Sequence, residues 1–167
     1  ESLRRDDNFL FMRLLNQIDN VILKKSQYIT IGNASVIRDW GFAVDFVYYM
    51  LLILLGEKPD DFCICTSQGN SVKQFTNSIC SEYDISLRNH IKIDKSLERS
   101  YEPNKVIGDN SKLISYYKLK PPLQMKKVIN KIVSNRKKLI QEGNKIDKIS
   151  DYLDEIQLGN LLKLIEK

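Results

Sequence analysis

The stretch Gly32-Asn33-Ala34-Ser35-Val36-Ile37-Arg38-Asp39-Trp40-Gly41 organises the reading of this chain. Just before it, Tyr28 to Ile31 is a short β-prone run, and Gly32-Asn33 is the turn that closes it. Just after it, a strongly apolar segment predicts a helix over 43–55 that stops at Gly56. Its apolar residues cover nearly the whole circumference, so the pattern predicts a largely buried helix. Arg38 therefore stands between a strand with its turn and a buried helix. A guanidinium held there is a planar fork that grips phosphate oxygens in pairs.

The pattern extends outward in both directions. Phe9, Met12, Leu15, Ile18 and Ile22 recur at spacings of three and four, predicting a helix over 9–25 with Asn8 as N-cap. On the other side, Lys58-Pro59-Asp60-Asp61 reads as a turn and Phe62 to Thr66 as a strand, with Cys63 and Cys65 on one face. Ser71 is the expected N-cap of a helix over 71–83. A strand around Ile91 to Ile93 follows, then irregular chain over 96–108. A short helix is expected over 110–117, started by Asp109 and ended before Pro121-Pro122. A long helix over 122–141 and one or two more over 145–166 complete the chain. Few short strands separated by helices suit a small α/β substrate-binding lobe better than a self-contained doubly wound sheet.

Composition bounds the function. The chain has 167 residues, room for one domain, with 43% hydrophobic and 28% charged residues. Three cysteines argue against a disulfide scaffold. The longest apolar run, Phe46 to Leu55, is about half the length of a membrane span. A soluble, cytoplasmic chain with no membrane partner is expected. Residues 1–90 carry 9 basic and 11 acidic side chains, residues 91–167 carry 17 and 10, and Lys112 to Lys138 holds nine basic residues with no acidic one. Such a stretch attracts anions, or is simply a solvated lysine face. Nucleic-acid binding would need interleaved aromatics, and only Tyr116 and Tyr117 lie there, at one end, so it is not expected.

Cys63 and Cys65 would need Cys80 and His90 to complete a metal site. They read more simply as core thiols, with His90 exposed and no metal expected. The seven glycines are isolated, so no glycine-rich phosphate loop exists. A bound nucleotide would have to be held by side chains. Arg38, Arg99 and Glu102 are the loop residues that could clamp a diphosphate and a ribose.

These segments, in this order, resemble the C-terminal part of the GDP-mannose 4,6-dehydratase family, a nucleotide-sugar branch of the short-chain dehydrogenase/reductases. Glu1-Ser2-Leu3-Arg4-Arg5 is similar to the family's N-H-E-S-P-x-R, entered after two residues. The central stretch matches G-N-x-x-x-x-R-D-W-G, and Lys58 to Phe62 matches K-P-D-D-Y. Ser71 to Phe75 resembles S-V-R-E-F, Arg99 to Glu102 resembles R-P-x-E, and Gly108 to Lys112 resembles G-D-P-S-K. The resemblance covers about residues 1–135; Leu3, Ser100 and Leu119 depart from its pattern.

The resemblance implies the end of the Rossmann domain plus a C-terminal substrate-binding lobe (residues 1–139) of a Rossmann-type enzyme; the helical tail expected over 140–167 has no counterpart in it and no assigned role. It implies that Arg38 and Arg99 hold the diphosphate of a GDP-sugar and that Glu102 accepts from ribose hydroxyls. Arg13 stands where the family has a lysine near the nucleotide. It also implies NADP as cofactor and a homo-oligomeric intact enzyme, a dimer or tetramer. The chain opens without an initiator methionine, and the glycine-rich turn and catalytic Y-x-x-x-K segment are expected upstream of Glu1, so no catalytic residue is assigned here and this chain alone is expected to be inactive. A related epimerase or reductase, a GDP-heptose dehydratase, and a basic interaction module are the alternatives.

Overall fold

The computed structural model describes residues 1, 2, 5–57 and 59–142. Helix α1 (Leu10–Ile22) forms on the expected periodicity, but its buried face is Phe11, Met12, Leu14, Leu15 and Ile18. Phe9 and Ile22, assigned to that face from spacing, are half exposed at the two ends. Phe9 takes the N-cap position; the Asn8 amide instead donates to Asp6 Oδ1 at 2.9 Å. Three further helices follow expectation closely: α2 (Ala43–Leu54), α3 (Val72–Ser81) and α5 (Ser111–Tyr117). Ser71 caps α3 in a capping box, accepting from the Gln74 amide while the Gln74 side chain accepts from the Ser71 amide. A one-turn helix α4 (Leu87–His90) and the long α6 (Met125–Glu142) complete the set. Residues 143–167, which carry most of the expected tail and the helices expected over 145–166, lie outside the described residues.

The strands are short and form two small sheets. β1 (Ile29–Ile31) pairs in parallel with β4 (Ile91–Ile93). β2 (Ile37–Asp39) is the middle strand of the second sheet, antiparallel to β3 (Gly69–Ser71) and parallel to β5 (Lys105–Val106). Arg38 stands opposite Asn70 on one side and Val106 on the other. The parallel register also carries residues just before β5 alongside β2; the Ile37 amide bonds the Asn104 carbonyl at 2.8 Å.

The main core joins α1, β1, α3 and α6. Phe75 is its hub, tilted against Phe11 and stacked on Trp40 at 4.3 Å between ring centroids. Helix α6 contributes Met125, Val128, Ile129, Ile132 and Val133, all buried, and turns Lys126 and Lys127 to solvent. Lys131 lies over the Phe42 ring, and Arg136 bonds Asp19 and Asn16 of α1. Much of the lysine-rich stretch is thus the outer face of a packed amphipathic helix.

Two further expectations fail. Helix α2 buries only Tyr48, Tyr49 and Leu52, which pack with Leu113 of α5, and Asp45, which accepts from the Leu123 amide. Its opposite stripe, Val47, Met50, Leu51 and Leu54, is exposed, Leu54 by 78%. Hydropathy states a preference for burial, but one face of a helix is covered only where something packs on it. Residues 62–66 do not form a strand; they have no ladder partner among the described residues, and the chain bends at Cys65. A β-strand is defined by its neighbour, and alternation alone does not supply one.

Replacing Ile129 with alanine should cost about 2–5 kcal/mol in a urea titration, because its side chain is wholly buried between α6 and the rest of the core. Lys126→Ala, one turn away on the outer face, should change stability by less than about 0.5 kcal/mol. Equal effects would mean α6 does not dock as described.

Candidate functional site

Asp39 organises the loops around β2. Its Oδ1 accepts from the Thr66 amide at 2.9 Å and from the Thr66 hydroxyl, and its Oδ2 from the amides of Ser67 at 3.0 Å and Gly108 at 3.4 Å. Asn110 continues the network, donating to the Cys65 carbonyl at 2.8 Å and accepting from the Ser67 hydroxyl at 2.9 Å. The segments around 66 and 108 are thereby fixed against the end of β2, one residue from Arg38.

A cleft of about 890 Å³ opens on the other side of this sheet, between the start of α1, β2, the start of α2 and the loop before β5. Four arginines line it: Arg5, Arg13, Arg38 and Arg99. Arg38 and Glu102 form an ion pair at 2.8 Å, both about one-fifth exposed, brought together because β5 runs parallel to β2. Arg38 also donates to its own Ile37 carbonyl at 2.7 Å, which holds the guanidinium in one orientation. Arg13 projects from α1, and its buried Nε finds no hydrogen-bond partner among the described residues. Arg99 is exposed at the rim. Arg5 lies 3.9 Å above the Phe9 ring, a cation–π contact, and its Nε is 3.5 Å from the Glu1 carboxylate, an ion pair. Among the described residues no lysine lines the cleft; guanidinium forks, suited to bidentate oxyanion recognition, supply side-chain positive charge.

All four residues singled out from sequence, Arg13, Arg38, Arg99 and Glu102, thus meet in one cleft. Arg5 and Asn33 also line it and received no role from the sequence. Arg5 closes the Glu1-Ser2-x-Arg4-Arg5 segment, so the motif itself held that signal. Trp40 reaches the cleft edge but spends its ring face on Phe75. Lys112, from the Gly108-Asp109-x-Ser111-Lys112 segment, turns away and bonds Asp60 at 2.7 Å and the Asp61 carbonyl at 3.0 Å. That hydrogen bond holds the Asp60 carboxyl below its ordinary pKa.

The metal candidates do not converge. Cys80 lies in the main core, where burial pushes its thiol up to about 11. His90 is half-buried rather than exposed, its Nδ1 2.9 Å from the Gln27 carbonyl. Cys63 is exposed, so only Cys65 of the pair is a core thiol. Among the described residues no group of three His, Cys, Asp or Glu side chains could hold a metal ion. The Y-x-x-x-K spacing does occur twice in the sequence, at Tyr101–Lys105 and Tyr116–Lys120. Neither pair shares a helix face. Tyr101 is 89% exposed in irregular chain, and α5 ends at Tyr117, before Lys120. Among the described residues no helix is long and apolar enough to cross a membrane.

The α/β lobe of helices and short strands has the fold of part of Rossmann-type epimerases and dehydratases. The fold matches RMD from Pseudomonas aeruginosa complexed with NADPH, at TM-score 0.67 and 20% identity over 80% of this chain and 44% of that one. It also matches dTDP-glucose 4,6-dehydratase from Bacillus anthracis in complex with NAD, at TM-score 0.68 and 10% identity over 85% and 43%. The family model for GDP-mannose 4,6 dehydratase matches residues 1–132, and the chain belongs to that family. GDP-mannose 4,6 dehydratase 1 of Arabidopsis thaliana is 30% identical over 153 residues, 88% of this chain. The chain spans 42% of that relative's length.

Asp39→Ala should destabilise the fold by about 1–3 kcal/mol, because it leaves the amides of Thr66, Ser67 and Gly108 without their acceptor. Amide hydrogen exchange should speed up most at those three positions and less in α3. Uniform acceleration through α3 would mean that Asp39 acts on the whole fold and not on these loops.

Proposed function

We propose that the cleft binds the nucleoside diphosphate of a GDP-hexose, and that residues 1–139 are the substrate-binding portion of a GDP-mannose 4,6-dehydratase-like enzyme of the cytoplasm. The observation that carries this reading is the convergence of Arg5, Arg13, Arg38 and Arg99 on one cleft from four separate segments. Arg38 and Arg99 grip diphosphate oxygens; Arg13, with its Nε unpaired, adds a third donor group. Glu102 spends Oε1 on Arg38 and keeps Oε2 for ribose hydroxyls. Fixed cations on a remote dianion let binding energy hold the hexose in place for reaction.

The intact enzyme of this reading is a homo-oligomeric lyase that converts a GDP-hexose to its 4-keto-6-deoxy form, with NADP carrying the hydride. The residues of this chain do not fit the dinucleotide. Its glycines are isolated, and no described helix starts on a glycine-rich turn that could cradle a pyrophosphate. No hydride or proton step is therefore assigned to them; they bind and orient the sugar nucleotide. Dehydratase chemistry is preferred to an epimerase or reductase because the Arg38-Asp39-Trp40-Gly41 segment matches the dehydratase pattern.

Calorimetric titration of the chain with GDP should give saturable binding. Arg38→Ala and Arg99→Ala should each weaken it by about 10- to 100-fold, the equivalent of losing a charged hydrogen bond of about 1.5–3 kcal/mol. Arg99 is exposed, so its loss tests the ligand contact without disturbing the fold. GDP-mannose supplied with NADP should not be turned over by this chain alone. No GDP binding at millimolar concentration, with the chain folded, removes the reading.

A further inference from the structure

Cys63 and Cys65 lie outside the cleft and take no part in the proposed binding. Their sulfurs are in contact at 3.7 Å, with the Cys63 thiol donating toward Cys65 Sγ. The two differ in access: Cys63 is exposed, while Cys65 is 7% exposed. They share a niche closed by Gly108, where a Cβ would stand 2.6 Å from Cys65 Sγ and 3.1 Å from Cys63 Sγ. Only a glycine lets the backbone close over both sulfurs at this distance.

The segment is anchored at one end, where the Cys65 carbonyl accepts from Asn110 and the Thr66 amide donates to Asp39, but no sheet ladder holds it among the described residues. Residues i and i+2 of an extended segment have Cα atoms about 6.6–6.8 Å apart, at the upper edge of the roughly 4.4–6.8 Å that a disulfide spans. A strand locked in a ladder would resist the shortening that a bridge requires. Residues 62–66 have no ladder partner among the described residues, so a small bend brings the sulfurs into bonding range.

We propose that Cys63 and Cys65 form a dithiol–disulfide couple, a modification site that reacts with low-molecular-weight disulfides of the glutathione class. Cys63, as its thiolate, attacks one sulfur of the small disulfide; that S–S bond breaks and one small thiolate leaves. Cys65 then gives up its proton, its sulfur attacks Cys63 Sγ, and the second small thiolate is expelled. Two electrons pass from the protein to the small disulfide, and both protons end on the two released thiols. Desolvation raises the Cys65 thiol above its ordinary pKa, which makes Cys65 the resolving and Cys63 the attacking group.

The test equilibrates the full chain with glutathione buffers of increasing oxidation, unfolds it in alkylating reagent and counts labelled cysteines by mass. The reduced chain should label at all three cysteines, and the oxidised chain at Cys80 alone, with the peptide spanning 62–66 lighter by two hydrogens. Cys80→Ala should preserve the bridge. Cys65→Ser should leave Cys63 carrying a glutathione adduct and no bridge. Bridging should be faster in the folded chain than in urea. Persistence of three labelled cysteines, a disulfide between Cys63 residues of two chains, or equal rates folded and unfolded would each overturn the proposal. GDP binding by the reduced chain is scored separately, so this test and that of the cleft fail independently.

Discussion

The carboxylate of Asp39 is the constraint on which the rest of this lobe depends. Three amides and a hydroxyl converge on it from two loops that the chain reaches 27 and 69 residues later. Each such contact is a charge-assisted hydrogen bond, worth more than a neutral one. Together they close the small sheet at the end where its strands are shortest. β2, β3 and β5 have three, three and two residues, too few to hold one another by backbone pairing alone. The side chain of the strand's last residue supplies what the ladder cannot.

That constraint carries through to the cleft. With β2 fixed on both sides, Arg38 has one place to be, and Glu102 follows because β5 runs parallel to β2. Four guanidinium groups around one opening repel one another unless something offsets the charge. Glu102 does so for Arg38, and Glu1, whose carboxylate lies 3.5 Å from the Arg5 Nε, does so for Arg5 together with the Phe9 ring. Arg13 and Arg99 make no ion pair among the described residues. Two guanidinium groups of the cleft are thus left without an ion-pair partner among the described residues, the arrangement on which the proposed binding of a dianionic group relies. Pre-placed arginines need not be reorganised when it arrives, so more of the interaction energy goes into binding.

The sequence displayed the helices well, because a 3.6-residue repeat and a capping box are local properties. Ser71 announces α3 as its expected cap, and the structure adds the Gln74 side chain to complete a capping box. The arginines of the cleft were legible one at a time, as loop cations near turns. Their convergence was not, since nothing local places residue 13 beside residue 99. Arg5 shows the limit from the other side: it stood inside a quoted motif, but its position over Phe9 is a contact of the folded chain. The lysine-rich stretch misleads in the opposite sense. It is the most obvious charge feature of the sequence, yet Lys126 and Lys127 face solvent from a packed helix and Lys112 is spent on Asp60. Charge density along the chain and charge focused in space are different quantities, and only the second makes a site.

Residues 62–66 and helix α2 fail their expectations for one shared reason. Both were read from apolar content, which measures how much a residue gains from burial and says nothing about what covers it. Phe62 and Ile64 do find partial cover against Tyr117 and the second core, so one side of the segment behaves as a strand's inner face would. Its backbone, lacking a neighbour, does not. On α2 the same division runs along the helix: Tyr48, Tyr49 and Leu52 are packed, while Val47, Met50, Leu51 and Leu54 are not. The unladdered backbone that defeats the strand assignment is also what leaves Cys63 and Cys65 free to approach each other. Where the sequence pattern and the observed structure part, the segment holds apolar or hydrogen-bonding capacity that its own contacts have not used, and such a segment is the natural place to look for chemistry that the cleft does not explain.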